Sequence, residues 1–306
     1  MTDHSRGVSS MVSSRGWLAV AAMVGSAACW GFSTVMSRDL LNTVPPSQLL
    51  VIQLTASVAA LAGLALPNMP WRYRSRGMLR ASAIGILEPG LTYSIGLIGL
   101  SLTTAGSASI IGATEPIMIV LIAWLFLSQR PSPRLAVCIV IAVIGLLMVS
   151  GETLFRPGQG NALGDGLIVL ATVSAASYVV LSAKVAAHFP AATLAMAQQL
   201  AGLAFVFAVF VVVQAFGLER PILAELSLSI VAYAAVSGII QYAIAFWLYL
   251  IGLRYLTPGA AGLWLTLVPV FGIFGAFVWL DEIPTPVMLA GAALIIGAVL
   301  IGKAEK

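Results

Sequence analysis

LIGLSLTTAGSAS, residues 97–109, returns 153 positions later as LIGLRYLTPGAAG, residues 250–262. At the same offset Pro116 falls on Pro269, Ala123 on Ala276, Leu127 on Leu280, and PSP at 131–133 on PTP at 284–286, with no gap in the interval. Apolar composition alone produces similar phrases, but it does not keep glycine and proline in register across two apolar stretches and the loop between them. Earlier in each copy, SAACW at 26–30 echoes SAASY at 174–178 at an offset of 148, so a short insertion separates the first and third apolar stretches. The chain is therefore duplicated, and the turn-rich segment RPGQGN at 156–161 marks the boundary between copies.

The duplicated material belongs in a bilayer. Of 306 residues, 60% are apolar and 8% charged, with a mean hydropathy of +1.04, whereas soluble domains carry about 25% charged residues. Crossing a hydrocarbon core of about 30 Å takes about 20 helical residues. Ten apolar stretches of that order are readable: 16–36, 47–66, 81–99, 105–127, 134–150, 164–186, 191–216, 228–251, 257–279 and 285–302. The longest connections, 67–80, 151–163 and 217–227, fall short of the roughly 40 residues that an independent domain needs. Arg15 and SAAC at 26–29 imitate a secretion signal poorly, because the apolar run continues to Met36, so span one is expected to stay in the mature chain. Cys29 and Cys138 both fall mid-span and read as small core residues, with neither metal spacing nor a disulfide partner implied.

Five spans per copy is an odd number, so the second copy enters the membrane from the opposite side. The expected fold is an all-α polytopic membrane protein, with ten transmembrane helices arranged as two inverted five-helix repeats around a central cavity. Its expected division is a cytoplasmic segment at 1–15, a first repeat at 16–151, a linker at 152–163, a second repeat at 164–302 and a tail at 303–306. Inverted repeats are a construction device of secondary transporters, in which similar halves exchange conformations about a midplane site.

Charge fixes the expected orientation. Arg6, Arg15, Arg72, Arg74, Arg76, Arg80, Arg130, Arg134, Lys184, Arg254, Lys303 and Lys306, twelve in all, fall on one side, and only Arg38, Arg156 and Arg220 on the other. The positive-inside rule then places both termini in the cytoplasm of a cell whose cytoplasmic membrane holds the chain. The net charge of +4 is spread over loops and gathers on no folded polar surface, so nucleic acid is not an expected partner.

Enzyme chemistry lacks its residues. The two histidines, His4 and His188, form no HExxH pair; Asp165 stands at a helix start, where it caps the N-terminus, with no second mid-span aspartate; and no GxxxxGK[ST] loop is present. No cofactor or metal is expected, and transport would run on gradients. The expected partners are the lipid bilayer and a small-molecule substrate, with a monomer sufficient and an oligomer left open.

The segments ACWGFSTVMSR at 28–38, ATEPIMIVLIAWLFLSQRPSP at 113–133, ALGDGLIVLATVSAASYVV at 162–180 and LVPVFGIFGAFVWLDEIPTP at 267–286 resemble the drug/metabolite transporter superfamily, in its ten-span group with two EamA-type repeats. The resemblance covers nearly the whole chain. It implies a carrier of amino acids or related metabolites, and within that group it points to exporters of aromatic and other neutral amino acids. Other small metabolites or drugs, and a non-transporting scaffold, are the alternatives. Ser128-Gln129 departs from the pattern, since the second copy has Asp281-Glu282 there.

Ionisable groups inside spans are costly, by at least about 2.5–3.5 kcal/mol on insertion scales, and so mark candidate sites. Glu88 in LEPGLTY, Glu115 in TEPIM and Lys184 qualify. Glu88 maps onto Gln241 at the repeat offset, which places a carboxylate and an amide at equivalent depths, and this pair is the expected ammonium site. The alternative has each glutamate, standing before a proline, hydrogen-bonding a carbonyl that lost its usual donor; this structural reading is the favoured one at Glu115. Lys184 is expected to snorkel to the interface. With no arginine deep in a span, the substrate carboxylate is expected to rest on freed backbone N–H groups with Gln53, Gln198 or Ser33. Trp30, Tyr93, Tyr178, Tyr242 and Trp264 are candidate walls for the side chain, although aromatic residues in spans more often pack or anchor. Pro89, Gly106, Pro116, Gly259 and Pro269 are the expected hinges or bends.

Overall fold

In the computed structural model the described residues are 3–68, 72, 75–150 and 162–302, with side chains described from residue 16 onward except at 105 and 106. The expected boundary at RPGQGN, most of the linker 152–163 and the tail 303–306 lie outside them. Among the described residues the chain is helical, with no strand. In chain order the helices are α1 (Asp3–Leu40), α2 (Pro46–Ala65), α3 (Arg76–Leu102), α4 (in two pieces, Ala105–Gly112 and Glu115–Leu127), α5 (Pro133–Ser150), α6 (Ala162–Val185), α7 (Ala191–Ala215), α8 (Leu228–Leu253), α9 (in two pieces, Pro258–Leu265 and Val268–Leu280) and α10 (Pro286–Gly302). Nine contain apolar stretches of at least 18 residues and α10 has 17, so ten helices match the ten stretches read from the sequence. The third begins earlier than expected because the Ser75 side chain accepts a hydrogen bond from the Met78 N–H and caps a basic first turn.

Local chemistry repeats with the sequence. Thr104 caps α4 by accepting from the Ser107 N–H, and Thr257, 153 residues on, caps α9 by accepting from the Ala260 N–H. α4 and α9 both end on left-handed residues at repeat-equivalent positions, Ser128 (φ 55°) and Asp281 (φ 53°). Each is also interrupted at the same place, just before Pro116 and Pro269, which occupy the first turn of the following piece, where a missing N–H costs nothing. α2 and α7 both start directly after a proline in extended conformation, Pro45 and Pro190. α8 is continuous but loosens into a π-helical turn at Ile239–Ile244, and at the equivalent place, Leu87–Leu91, α3 is kinked by the extended backbone of Glu88.

The halves interlock. α1 packs against α8 and α9 of the other half, and α6 correspondingly against α3 and α4; α2 lies on α7, α4 on α9, and α5 on α10. Two contacts in this weave are between backbones. A Cβ added at Gly85 of α3 would stand 1.8 Å from the Gln198 carbonyl oxygen of α7, and one added at Gly238 of α8 would stand 2.4 Å from Gln53 Cα and its carbonyl oxygen on α2. Gly145 and Gly291 make the same kind of approach between α5 and α10, each 2.6–2.7 Å from the other's carbonyl oxygen once a Cβ is added. Small residues of this kind let helices approach in lipid, where no hydrophobic force drives them together. Inside the weave, Met23, Tyr178, Phe246, Tyr249, Leu250 and Leu54 are fully buried, whereas Leu125, Phe126, Phe216 and Trp279 present apolar surface outward, as a lipid-facing bundle requires.

A Gly238→Ala substitution is expected to destabilise the folded protein by about 1–3 kcal/mol or more, because the methyl meets backbone that has nowhere to move. Gly297→Ala, with nothing within 4 Å of the added carbon, should be neutral. Thermal unfolding of the two purified variants in one detergent checks this, and equal melting temperatures would refute the close-approach account.

Candidate functional site

Where the loosened or broken helices meet, they surround a cavity of about 310 Å³. Its wall draws Trp30 and Thr34 from α1, Glu88 and Tyr93 from α3, Glu115 and Pro116 from α4, Gln241 and Tyr249 from α8, and Thr266 and Pro269 from α9. Two carboxylates and an amide thus share one enclosure, and none of the lining residues is basic. The wall also runs along α4 to Ser109 and reaches Ser150, the last residue of α5.

Glu88 owes its place to the proline that follows it. A residue before proline is pushed out of the helical region, and Glu88 is extended (φ −146°, ψ 124°) in the middle of an otherwise helical run. Beside this break the Leu87 carbonyl accepts the backbone N–H of Thr92. It is also served by hydroxyls, accepting from Thr92 Oγ1 at 2.9 Å and from Ser174 Oγ at 3.1 Å. Glu88, read from the sequence as an ammonium ligand or, alternatively, as the partner of a freed carbonyl, lines the cavity. At the α4 and α9 breaks Thr114 donates its hydroxyl to the Ile111 carbonyl at 2.6 Å and Thr266 to the Leu263 carbonyl at 2.7 Å, alongside the backbone N–H groups of the same threonines. Gln241, the repeat counterpart of Glu88, accepts from Ser37 Oγ at 2.9 Å through its Oε1, which fixes the amide at the wall.

Of the residues singled out by sequence, the cavity gathers Glu88, Glu115, Gln241, Trp30, Tyr93, Pro116 and Pro269. Others lie behind its wall. Gln53 donates its amide to Ser37 Oγ and Ser237 Oγ, both at 2.9 Å. Gln198 donates to Ser182 Oγ at 3.1 Å and the Ala81 carbonyl at 3.3 Å, and accepts from the Tyr178 hydroxyl at 3.0 Å. Tyr178 is buried there, Tyr242 stacks edge to face on Tyr93 with centroids 5.2 Å apart, Ser33 donates to the Cys29 carbonyl at 2.6 Å, and Trp264 is buried in the first piece of α9. Pro89 packs against Gly202 of α7, and Gly259 sits beside Leu135 and Val120 at a smaller pocket near the α4–α5 loop. Gly106 is in the backbone of the first piece of α4. Lys184 is exposed near the end of α6, and the Asp165 carboxylate, in the first turn of α6, accepts from the Thr103 hydroxyl.

Glu115, for which the sequence favours a structural role, also lines the cavity, as do Thr34 and Tyr249, which the sequence does not single out. Thr34 lies one helical turn beyond Trp30 and carries that signal. Tyr249 carries none, because its repeat counterpart is Gly96.

Two donors on the wall have no acceptor: Trp30 Nε1 and the Tyr249 hydroxyl are both buried without a hydrogen-bond partner. Such a group costs about 1–3 kcal/mol of folding free energy. Their rings meet edge to face with centroids 5.5 Å apart, and Phe246 backs Trp30 at 5.0 Å.

The EamA-like transporter family matches this chain twice, over residues 17–151 and 162–302. An uncharacterized transporter of Bacillus subtilis, YetK, is 24% identical over 215 residues, which cover 69% of this chain and 63% of that protein. A probable terminal-alkyne amino-acid exporter of Streptantibioticus cattleyicolor is 27% identical over 290 residues, covering 93% of each chain. A solved crystal structure superposes with a TM-score of 0.78 at 18% identity, covering 94% of this chain and 96% of the other, which is a likeness of fold. The family and these curated relatives are transporters rather than enzymes. With two matched copies covering both halves of a ten-helix membrane bundle, the chain belongs to the EamA-like transporter family.

Proposed function

We propose that the protein is a secondary transporter that exports amino acids, aromatic and other neutral ones among them, across the cytoplasmic membrane by alternating access. The observation that carries this reading is the pairing of Glu88 and Glu115 with Gln241 in one enclosure on loosened helices, without a basic residue among those that line it. Two acids with no counter-charge in a low-dielectric enclosure favour a ligand that brings positive charge. An ammonium group fits between the carboxylates and the Gln241 amide carbonyl, and the faces of Trp30, Tyr93 and Tyr249 provide apolar and cation–π contact for the rest of the molecule. The name of the Streptantibioticus cattleyicolor relative supports an amino acid as cargo.

In this reading residues 16–151 and 164–302 are the two moving units, and Pro89, Gly106, Pro116, Gly259 and Pro269 lie where their helices bend. Both termini face the cytoplasm, on the strength of the twelve-to-three division of basic residues. The cavity then reaches toward the outer ends of α4 and α5 through Ser109 and Ser150, while α9 at Gly259 is packed close to α4 and α5 at the inner end. In this reading a monomer is sufficient for transport. The cycle needs no bound cofactor and is driven by gradients.

Counterflow in proteoliposomes with a panel of labelled amino acids and amines tests the reading; accumulation of label against unlabelled internal substrate is expected, and a scaffold would show no flux at all. Glu88→Gln and Glu115→Gln should each cut exchange about tenfold or more with membrane abundance unchanged, as loss of a charge-assisted contact implies. Native rates in both would remove the site. Tyr178→Phe, which leaves the Gln198 amide oxygen without its donor behind the wall, should instead lower stability by about 1–3 kcal/mol and leave exchange intact; unfolding and flux measured on the same preparation separate the two roles. A reporter fused after Lys306 should be active on the cytoplasmic side, and an extracytoplasmic reporter would reverse the orientation.

A further inference from the structure

The second repeat shows how this fold closes a buried aromatic donor, and the first repeat does not do so. Tyr178, the counterpart of Trp30, gives its hydroxyl to Gln198 Oε1 at 3.0 Å. Gln198 stands eight residues after the proline that begins α7, Pro190, and Gln53 stands eight after Pro45 at the start of α2, so the two glutamines are counterparts too. Their close approaches agree, because Gly85 meets Gln198 where Gly238, at the 153-residue offset, meets Gln53. Yet Gln53 engages Ser37 and Ser237, and Trp30 Nε1 has no acceptor. The hydroxyl of Tyr249 is likewise unpartnered and has no equivalent in the first repeat, where the position is Gly96. Both residues are more than nine-tenths buried, line the cavity and touch each other ring to ring.

We propose that Trp30 Nε1–H and the Tyr249 O–H together form a neutral two-donor subsite for the carboxylate of the carried amino acid. The inference rests on the cavity reading above, in which Glu88 and Glu115 take the ammonium. A carboxylate offers two oxygens with lone pairs in several directions and accepts two separate donors readily. Neutral donors suit this cavity for a physical reason: an arginine at the same place would pair with Glu88 or Glu115 and close the site on itself, whereas an indole N–H and a phenol O–H have no net charge for the carboxylates to capture. In a low-dielectric enclosure hydrogen bonds from such donors are strong enough to orient an anion.

Phenylalanine, phenethylamine and 3-phenylpropanoate separate the contributions, with equilibrium binding measured on the full chain in nanodiscs. Trp30→Phe and Tyr249→Phe, which keep a ring and remove a donor, should each weaken phenylalanine about tenfold, the size of one hydrogen bond to a charged group. Phenethylamine, which has no carboxylate, should change less than about twofold on the same scale. Equal loss for both ligands, or loss for neither, overturns the subsite. A Glu88→Gln/Glu115→Gln background removes repulsion toward 3-phenylpropanoate, and its binding there must fall when Trp30→Phe is added; unaltered binding, or none in either protein, again overturns the proposal. Failure of every amino acid in counterflow alongside Trp30-dependent binding of 3-phenylpropanoate would instead sink the export reading and leave the subsite standing.

Discussion

Two backbone contacts hold the rest of this structure in place. Gly85 lets α3 lie directly on the Gln198 carbonyl of α7, and Gly238 lets α8 lie directly on Gln53 of α2. In lipid there is no hydrophobic penalty for separating helices, so adhesion depends on close van der Waals approach, and a residue without a side chain permits the closest. Each glycine precedes the polar residue that its helix contributes to the cavity by three positions, Glu88 in one half and Gln241 in the other. The crossings therefore set the depth and facing of the carboxylate and the amide. The loosened turns that follow pack on the same neighbours, that of α3 on α7 and α6 and that of α8 on α2 and α1.

The second requirement is to satisfy a backbone that has been opened where there is no water. α3, α4, α8 and α9 all depart from regular helix around the cavity. Threonine and serine hydroxyls add further donors at the Leu87, Ile111 and Leu263 carbonyls, each of which also accepts a backbone N–H. These hydroxyls turn inward to the backbone, while Glu88, Glu115 and Gln241 line the cavity.

Much of this was legible from residue order. The glycine and proline register of the duplicated phrase gives the ten helices, their inversion and the pairing of Glu88 with Gln241, because those features are fixed by spacing that the repeat preserves. Other parts were hidden. The equivalence of Gln53 and Gln198 lies at an offset of 145, produced by the insertion between repeats, and becomes visible only through Pro45, Pro190 and the facing glycines. Glu115 reads as structural because a proline follows it, and its place on the same cavity wall as Glu88 is a product of the fold that the order of residues does not give. Tyr178 and Trp30 occupy equivalent places, but one faces a glutamine and the other does not, a difference made by rotamers and partners that a one-dimensional repeat does not encode.

The interlocking of the halves also bears on how the chain comes into being. α1 finds its main neighbours in α8 and α9, and α2 finds its own in α7 and α8. A ribosome that has released α1 to α5 has therefore delivered helices whose packing faces, with Trp30, Leu54 and Gln53 on them, have nothing native to rest against. They must wait in the bilayer, held by their own backbone hydrogen bonds and by lipid, until the last third of the protein emerges. Assembly is a single late event, and the membrane itself acts as the holding chaperone for the first half.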